Sequence, residues 1–337
     1  MFNFALVGCG GMANWHAQQL QKLSADVKVV AVVDTVPGCA RTFKDKYFND
    51  AVEYEAYDKL LEKPPAKLDA VVLVTPHTLH YPQAKAALER GINVMVEKPM
   101  VTSSQHAYDL WQTVKKSGKL LGITFQAPYT QEFLYLAQQR DAGKLGKVQL
   151  VTCWLAQGWL EGTRGKWRKD PAQSGGGQMY DSGAHTLNSL MWLMNDPVVE
   201  AACFCDNCGS PVDINGVAIA KFQNGAMASI TIGGNCPPFR TDIAIQTDKC
   251  LIITDQYGGK LEITGANNKK VYPHVEQALE APAAGTPHAN FVNALKGTEP
   301  LRAPVRYGVL LSALMDALYE SASSGKVVKV KPVPKDI

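Results

Sequence analysis

Lys98 stands in Glu97-Lys98-Pro99, directly after the apolar run Ile92-Asn93-Val94-Met95-Val96. A lysine that ends a buried strand is costly to desolvate, so it calls for a reason. In a doubly wound parallel sheet the carboxyl ends of the strands are where ligands bind. An ammonium group there can stabilise a developing alkoxide by charge and hydrogen bonding. Farther along, Ser174-Gly175-Gly176-Gly177-Gln178-Met179-Tyr180-Asp181-Ser182-Gly183-Ala184-His185 carries an aspartate and a histidine four residues apart. At a helix start that spacing puts both on one face. A histidine titrates in the range needed to take and return a proton near neutral pH, and a carboxylate beside it can polarise it or hold a substrate hydroxyl. The purely structural alternative makes Asp181 an N-cap and His185 a packed core residue. Tyr180, Trp167 and Arg168 are further candidates for lining a pocket.

A second group of residues suits a dinucleotide. Gly8-Cys9-Gly10-Gly11-Met12-Ala13 fits Gly-x-Gly-x-x-Ala, follows a strand and opens a helix. The first two glycines allow a tight turn and close approach to a pyrophosphate; Ala13 allows close helix–strand packing, and the helix start supplies amides and a positive dipole end. Asp34 ends the next strand, where a carboxylate accepts hydrogen bonds from ribose hydroxyls and repels a 2′-phosphate. No arginine lies in Thr35-Val36-Pro37, although Arg41 comes a turn later, so NAD is expected in preference to NADP. The cofactor-binding set is therefore Gly8, Gly10, Gly11, Met12, Asp34, Thr75, Pro76, His80, Glu97 and Lys98. His77 and His80 also have a plainer place at the start of the following helix, and His16 reads as a packed or capping residue.

These positions need a scaffold, and the hydrophobic pattern supplies one. Phe4 to Val7, Val27 to Val33, Ala70 to Val74, Ile92 to Val96 and Leu120 to Thr124 are short apolar runs separated by helical patterns such as Tyr81 to Arg90 and Ser104 to Ser117. Runs apolar on both faces are expected of parallel strands covered by helices. After about Gln126 the pattern changes. A helix over Gln131 to Ala142, a strand over Val148 to Ala156, a polar loop from Gln157 to Gly177 and a helix over Asp181 to Met194 precede a series of strands: Val199 to Cys205, Val217 to Phe222, Met227 to Ile232, Asp242 to Gln246, Leu251 to Thr254 and Leu261 to Thr264. Asn224-Gly225 marks a hairpin between two of them. A helix from Pro287 to Lys296, a long one from Arg306 to Ser323 and a strand over Val327 to Val330 follow. The expected fold is α/β: an N-terminal Rossmann-type doubly wound parallel sheet over 1–125, and over 126–337 an α+β domain with a large, mostly antiparallel open sheet. Both faces of Val217 to Ile232 look apolar, which suggests that a second subunit covers one of them.

With 46% hydrophobic residues, 19% charged residues and a formal charge of +3, the composition is that of an ordinary globular protein. No Lys/Arg block suggests nucleic acid or a membrane surface as partner; Lys326 to Lys335 is only mildly basic. The start reads straight into a strand, so no signal peptide is expected and a cytoplasmic setting is. Cys203, Cys205 and Cys208 include a Cys-x-x-Cys spacing, but no second pair or histidine completes a tetrahedral set, so packed reduced thiols and no metal are expected.

The order of motifs, from Gly-x-Gly-x-x-Ala through Glu97-Lys98-Pro99 to three glycines, Asp181 and His185, resembles the Gfo/Idh/MocA oxidoreductase family across nearly the whole chain. The resemblance implies a pyridine-nucleotide reaction on a small sugar, inositol or related polyol. It also implies Lys98, Asp181 and His185 at the nicotinamide and substrate, with His185 as acid/base, and a homo-oligomer (dimer or tetramer) built through the C-terminal sheet. Trp167-Arg168 matches a Trp-Arg often found before the glycines. Asn188 departs from the aspartate common three residues after the histidine, and Phe125-Gln126-Ala127-Pro128-Tyr129 lacks a frequent arginine. Two rivals share the cofactor: a glycoside hydrolase that oxidises, eliminates and re-reduces, with Tyr180 as an extra acid or base, and a non-catalytic nucleotide sensor.

Overall fold

The computed structural model describes residues 1–272 and 284–334. It divides into two compact units.

The first unit is built on strands β1 (Phe2–Val7), β2 (Val27–Val33), β3 (Val52–Tyr54), β4 (Ala70–Leu73), β5 (Asn93–Val96) and β6 (Leu121–Ile123), alternating with helices α1 (Gly11–Lys22), α2 (Cys39–Tyr47), α3 (Tyr57–Glu62), α4 (His77–Glu89) and α5 (Ser104–Ser117). All strand pairs are parallel, in the order β3-β2-β1-β4-β5-β6. The order reverses between β1 and β4, so a crevice opens beyond their carboxyl ends. β4 is buried along its whole length, as its unbroken apolar sequence requires of a strand covered on both faces. The short edge strand β3 carries too few residues to show a period.

The second unit contains α6 (Gln131–Asp141), β7 (Val148–Ala156), the short helices α7 (Trp159–Gly162) and α8 (Pro171–Ser174), α9 (Gly183–Met194), and strands β8 (Val198–Asp206), β9 (Asn215–Phe222), β10 (Met227–Gly233), β11 (Arg240–Thr247), β12 (Leu251–Thr254), β13 (Leu261–Thr264) and β14 (Lys270–Tyr272). After α10 (Pro287–Leu295), helix α11 (Val305–Ser324) and strand β15 (Val328–Lys329) complete the fold. Among the described residues the sheet has nine strands in the order β14-β13-β12-β11-β7-β10-β9-β8-β15. Its pairs are antiparallel except β7 with β10. β9 and β10 join through the expected Asn-Gly turn: Gly225 has φ +92°, and Asn224 Oδ1 accepts the Ala226 amide at 2.9 Å. On one face Ala218, Ala220, Phe222, Ala228, Ile230 and Ile232 are buried. On the other Phe204, Val217, Ile219 and Met227 are exposed.

Two expectations need correction. The loop over 157–177 is largely made of α7, α8 and a 3-10 turn at Trp167–Lys169. The second division is also interrupted, because Thr286–Gly308 packs with the first unit. Phe291 and Val292 of α10 join the first unit's core, Phe291 meets Phe4 edge-on at 6.1 Å, and Ile123 donates its amide to Ala303 O at 2.9 Å. Lys335, the end of the basic tail, lies outside the described residues.

Candidate active site

In the first unit β1 runs into the glycine turn. Gly8 has φ +92°, and a Cβ there would lie 2.6 Å from Val74 O, so only glycine fits against the end of β4. Gly10 is the N-cap of α1 and makes no side-chain cap; the first turn carries no acidic residue. A Cβ at Gly10 or Gly11 would meet nothing within 4 Å. The helix start thus presents amides and a positive dipole end toward open space, as a pyrophosphate requires. Ala13 is fully buried, consistent with close helix–strand packing, whereas the Met12 side chain is exposed.

Asp34 lies just beyond β2. Its Oδ2 accepts the Cys9 amide at 2.7 Å and its Oδ1 the Val36 amide at 2.8 Å, which fixes the carboxylate beside the glycine turn. A cavity of about 230 Å³ there is lined by Asp34, Glu53, Glu55, Tyr54 and Arg41. Arg41 is paired with Glu53, its Nη2 2.7 Å from Oε1. Three carboxylates and a neutralised arginine suit ribose hydroxyls better than a 2′-phosphate.

Thr75 and Pro76 follow β4, and Pro76 is the N-cap of α4. Thr75 donates its hydroxyl to Gln83 Oε1 at 2.6 Å. His80 is fully buried, with Nδ1 2.8 Å from Pro99 O and Nε2 2.8 Å from Thr75 O. Both ring nitrogens are spent on backbone carbonyls, so His80 ties two strand ends together and has no nitrogen left for a cofactor. Glu97 likewise turns inward. Its carboxylate accepts from His16, the Thr124 hydroxyl and the Lys98 amide. Lys98 itself is half-buried, one residue beyond Glu97 and two beyond the end of β5.

In the second unit Asp181 and His185 are four residues apart but do not share a helix. α9 begins at Gly183 with Ser182 as N-cap, and Asp181 sits in the turn before it. That excludes the N-cap role for Asp181. Its carboxylate is 6% exposed, and Oδ2 accepts from Trp159 Nε1 at 2.7 Å and Arg168 Nε at 2.9 Å. These donors fix its direction. Arg168 also lies 4.5 Å over the Trp167 ring, so the Trp-Arg pair acts as one support. His185 is half-buried, with its ring edge-on to Tyr257 at 5.4 Å. Burial first, and the nearby Asp181 charge among the lesser causes, hold the Tyr257 phenol above its usual range. Tyr257 therefore belongs with Asp181 and His185.

Tyr180 turns into the interior of the second unit. It is 2% exposed, stacks on Tyr319 at 5.5 Å and leaves its hydroxyl without a hydrogen-bond partner among the described residues. Burial, and then the charges of Asp316 and Asp213, push its acidity far out of reach. Asn188, a turn beyond His185, is also buried with neither amide atom paired among the described residues. Trp159, Tyr257 and Asp213 carried no pattern that separated them in the sequence, although Trp159 falls in the Trp-rich loop already singled out. Cys203 and Cys205 sit with sulfurs 3.6 Å apart, all eight cysteines are free, and no metal-binding cluster of His, Cys, Asp or Glu occurs among the described residues.

Residues 2–125 match the family described as "Oxidoreductase family, NAD-binding Rossmann fold", and residues 133–256 match the "GFO/IDH/MocA C-terminal domain". The chain belongs to the Gfo/Idh/MocA oxidoreductase family. It is an NAD-binding oxidoreductase. Among curated relatives, D-glucoside 3-dehydrogenase of Escherichia coli is 24% identical, the match covering 97% of each chain. Inositol 2-dehydrogenase/D-chiro-inositol 3-dehydrogenase of Lactiplantibacillus plantarum is 28% identical over 67% of this chain and 60% of that one. Among solved structures, the WlbA dehydrogenase of Bordetella pertussis in complex with NADH and UDP-GlcNAcA aligns with a TM-score of 0.83 and 22% identity, over 98% of both chains. Levoglucosan dehydrogenase with NADH and levoglucosan aligns with a TM-score of 0.85 and 18% identity, over 98% of this chain and 100% of that one. At these identities the structural likeness speaks to the fold.

Proposed function

We propose that this oxidoreductase acts on a secondary hydroxyl of a sugar, inositol or related polyol, with Lys98, Asp181 and His185 as its reacting groups. The observation that carries the reading is Asp181: a carboxylate held by Trp159 and Arg168 in the turn directly before the helix that presents His185. Such a carboxylate can orient a substrate hydroxyl and favour the protonated imidazole after reaction. The relatives that bind or act on sugars and inositols support the same substrate class.

NAD, when bound, supplies the hydride acceptor. Gly8, Gly10, Gly11 and the start of α1 would hold its pyrophosphate, and Asp34 its adenosine ribose. His185 removes the hydroxyl proton, Lys98 stabilises the alkoxide by charge, and Asp181 orients the substrate and tunes His185. In the reverse direction His185 returns the proton. The redox-cycling glycosidase loses the support it drew from Tyr180, whose hydroxyl is buried.

The exposed apolar face around Phe204, Val217, Ile219 and Met227 supports a homo-oligomer through the second sheet. Eight free cysteines suit a reducing compartment, and we place the enzyme in the cytoplasm. No helix among the described residues is long and apolar enough to cross a membrane.

The test is purified protein with NAD, and separately NADP, against free sugars, inositols and aryl glycosides, following absorbance at 340 nm and released aglycone. NADH accumulating with a free polyol is the expected result. Aglycone release without NADH would overturn the reading in favour of the glycosidase.

A further inference from the structure

Behind Lys98 the first unit buries a chain of polar side chains where a plain scaffold would carry apolar ones. His16 of α1 is fully buried and places Nε2 2.9 Å from Glu97 Oε1. Its Nδ1 lies 2.9 Å from Nε2 of His288, which is 1% exposed. Thr124 donates its hydroxyl to the same Glu97 oxygen at 2.7 Å. The other oxygen, Oε2, accepts the Lys98 backbone N–H at 3.1 Å. A buried carboxylate with that set of donors has one orientation open to it.

The polar chain ends at His288. His288 Nδ1 has no hydrogen-bond partner among the described residues. Burial, and then the proximity of His16, hold His288 in its neutral form. His288 Nε2 thus faces His16 Nδ1, and His16 Nε2 faces Glu97. The chain points from α10 through α1 to the residue next to the lysine. On the far side of Lys98, Pro99 O lies 2.8 Å from His80 Nδ1.

We propose that His16 and Glu97 are positioning residues for Lys98: the helix that opens at the dinucleotide turn is tied through Glu97 to the lysine's own peptide. This rests on the reading of Lys98 as a reacting group. A buried polar pair that serves only stability could be exchanged for apolar residues with little loss of turnover. A positioning pair cannot, because a small displacement of a reacting group slows the chemical step far more than it weakens cofactor binding.

The test is a double-mutant cycle on the full-length protein. His16→Ala and Glu97→Gln are measured alone and in a Lys98→Met background, with kcat, KM, and NAD dissociation read from tryptophan fluorescence. Thr124→Val, which removes one hydroxyl at nearly constant volume, is the milder variant should either of the others fail to fold. The expected result is a fall in kcat of about tenfold or more in the single variants, NAD dissociation within about twofold of the parent, and no further loss once Lys98 is Met. The proposal is overturned by folded variants with unchanged kcat, by losses that multiply in the Lys98→Met background, or by NAD affinity falling in step with kcat. Lys98→Met with full turnover would overturn the reading of Lys98 itself, and it is visible in that single variant alone.

Discussion

Asp213 Oδ1 accepts the Gly177 amide at 2.7 Å, and the Asp213 backbone occupies the space into which any Cβ at position 177 would project. Its other oxygen takes the Met179 amide at 2.9 Å, and Tyr319 donates its hydroxyl to Oδ1 at 2.5 Å. One buried side chain thus fixes the glycine segment just before Asp181. Gly177→Ala should destabilise the protein by about 2 kcal/mol or more, because backbone rather than a flexible side chain must yield. Asp213→Asn should fold but lose turnover, since one of its two backbone amides then faces an NH₂ group. Thermal unfolding with kcat measured in parallel would check both; parental stability in the Gly177→Ala variant would contradict the packing.

Arg168 is the charged partner of Asp181. Its removal takes the charge-assisted bond from a nearly buried carboxylate and leaves the neutral Trp159 donor in place. Arg168→Ala should lower kcat/KM by about tenfold to a hundredfold, corresponding to about 1.5–3 kcal/mol for a charge-assisted bond. Trp159→Phe keeps an aromatic ring and removes the N–H, so its loss should be smaller. Steady-state kinetics on the preferred polyol decide the ranking.

Cofactor choice depends on the charges around Asp34. Asp34→Ser should raise kcat/KM for NADP relative to NAD, and adding Glu53→Gln should raise it again by releasing Arg41 toward a 2′-phosphate. A gain of about tenfold at the second step would correspond to about 1.4 kcal/mol. If Glu53→Gln adds nothing, Arg41 is out of reach and Asp34 alone sets the preference.

The apolar face of the nine-stranded sheet gives a solution prediction. Ile219→Glu combined with Met227→Glu places charge where both parental side chains are exposed and apolar. Sedimentation should show the parent as an oligomer and the variant shifted toward the monomer, with the fold unchanged by circular dichroism. A monomeric parent would refute the assignment of that face.

Glu97 also predicts a pH dependence. Burial opposes its ionisation, but the His16 hydrogen bond and charge, then Lys98 and the Thr124 hydroxyl, outweigh burial and hold the carboxyl down at about 2. A depressed carboxyl contributes stability that is present above its unfolded value and is lost as pH falls through its folded one. The window thus runs from about pH 4.5 down to about 2, and the contribution is of order 3 kcal/mol. In denaturant titrations across that range, Glu97→Gln should flatten the acid limb. An unchanged slope would mean that Glu97 is not the titrating group.

Much of the first unit was readable from residue order. The glycine turn, Asp34 and Lys98 each sit at a strand end, and a buried parallel strand announces itself as an apolar run. Asp213, Tyr257 and His288 were not readable. They reach the glycine segment, His185 and His16 across wide sequence separations, and no local period marks a residue whose partner comes from tertiary pairing. Glu97 and His80 show a different difficulty. Adjacency to a motif drew attention to them, but which way a side chain turns is decided by the donors and acceptors packed behind it. Tyr180 shows the same difficulty: its neighbour in space is Tyr319, on a helix that begins more than a hundred residues later.

The return of α10 to the first unit bears on how the protein can be divided. Phe291 fills the space beside Phe4, although α10 comes more than a hundred and sixty residues after the last strand of that sheet. The nucleotide-binding part therefore cannot be detached by cutting after β6. A gene fragment ending there would encode all of β1 to β6 and still leave an open apolar seam. Grafting this half onto another enzyme would require carrying the late helix with it, as a separate insertion.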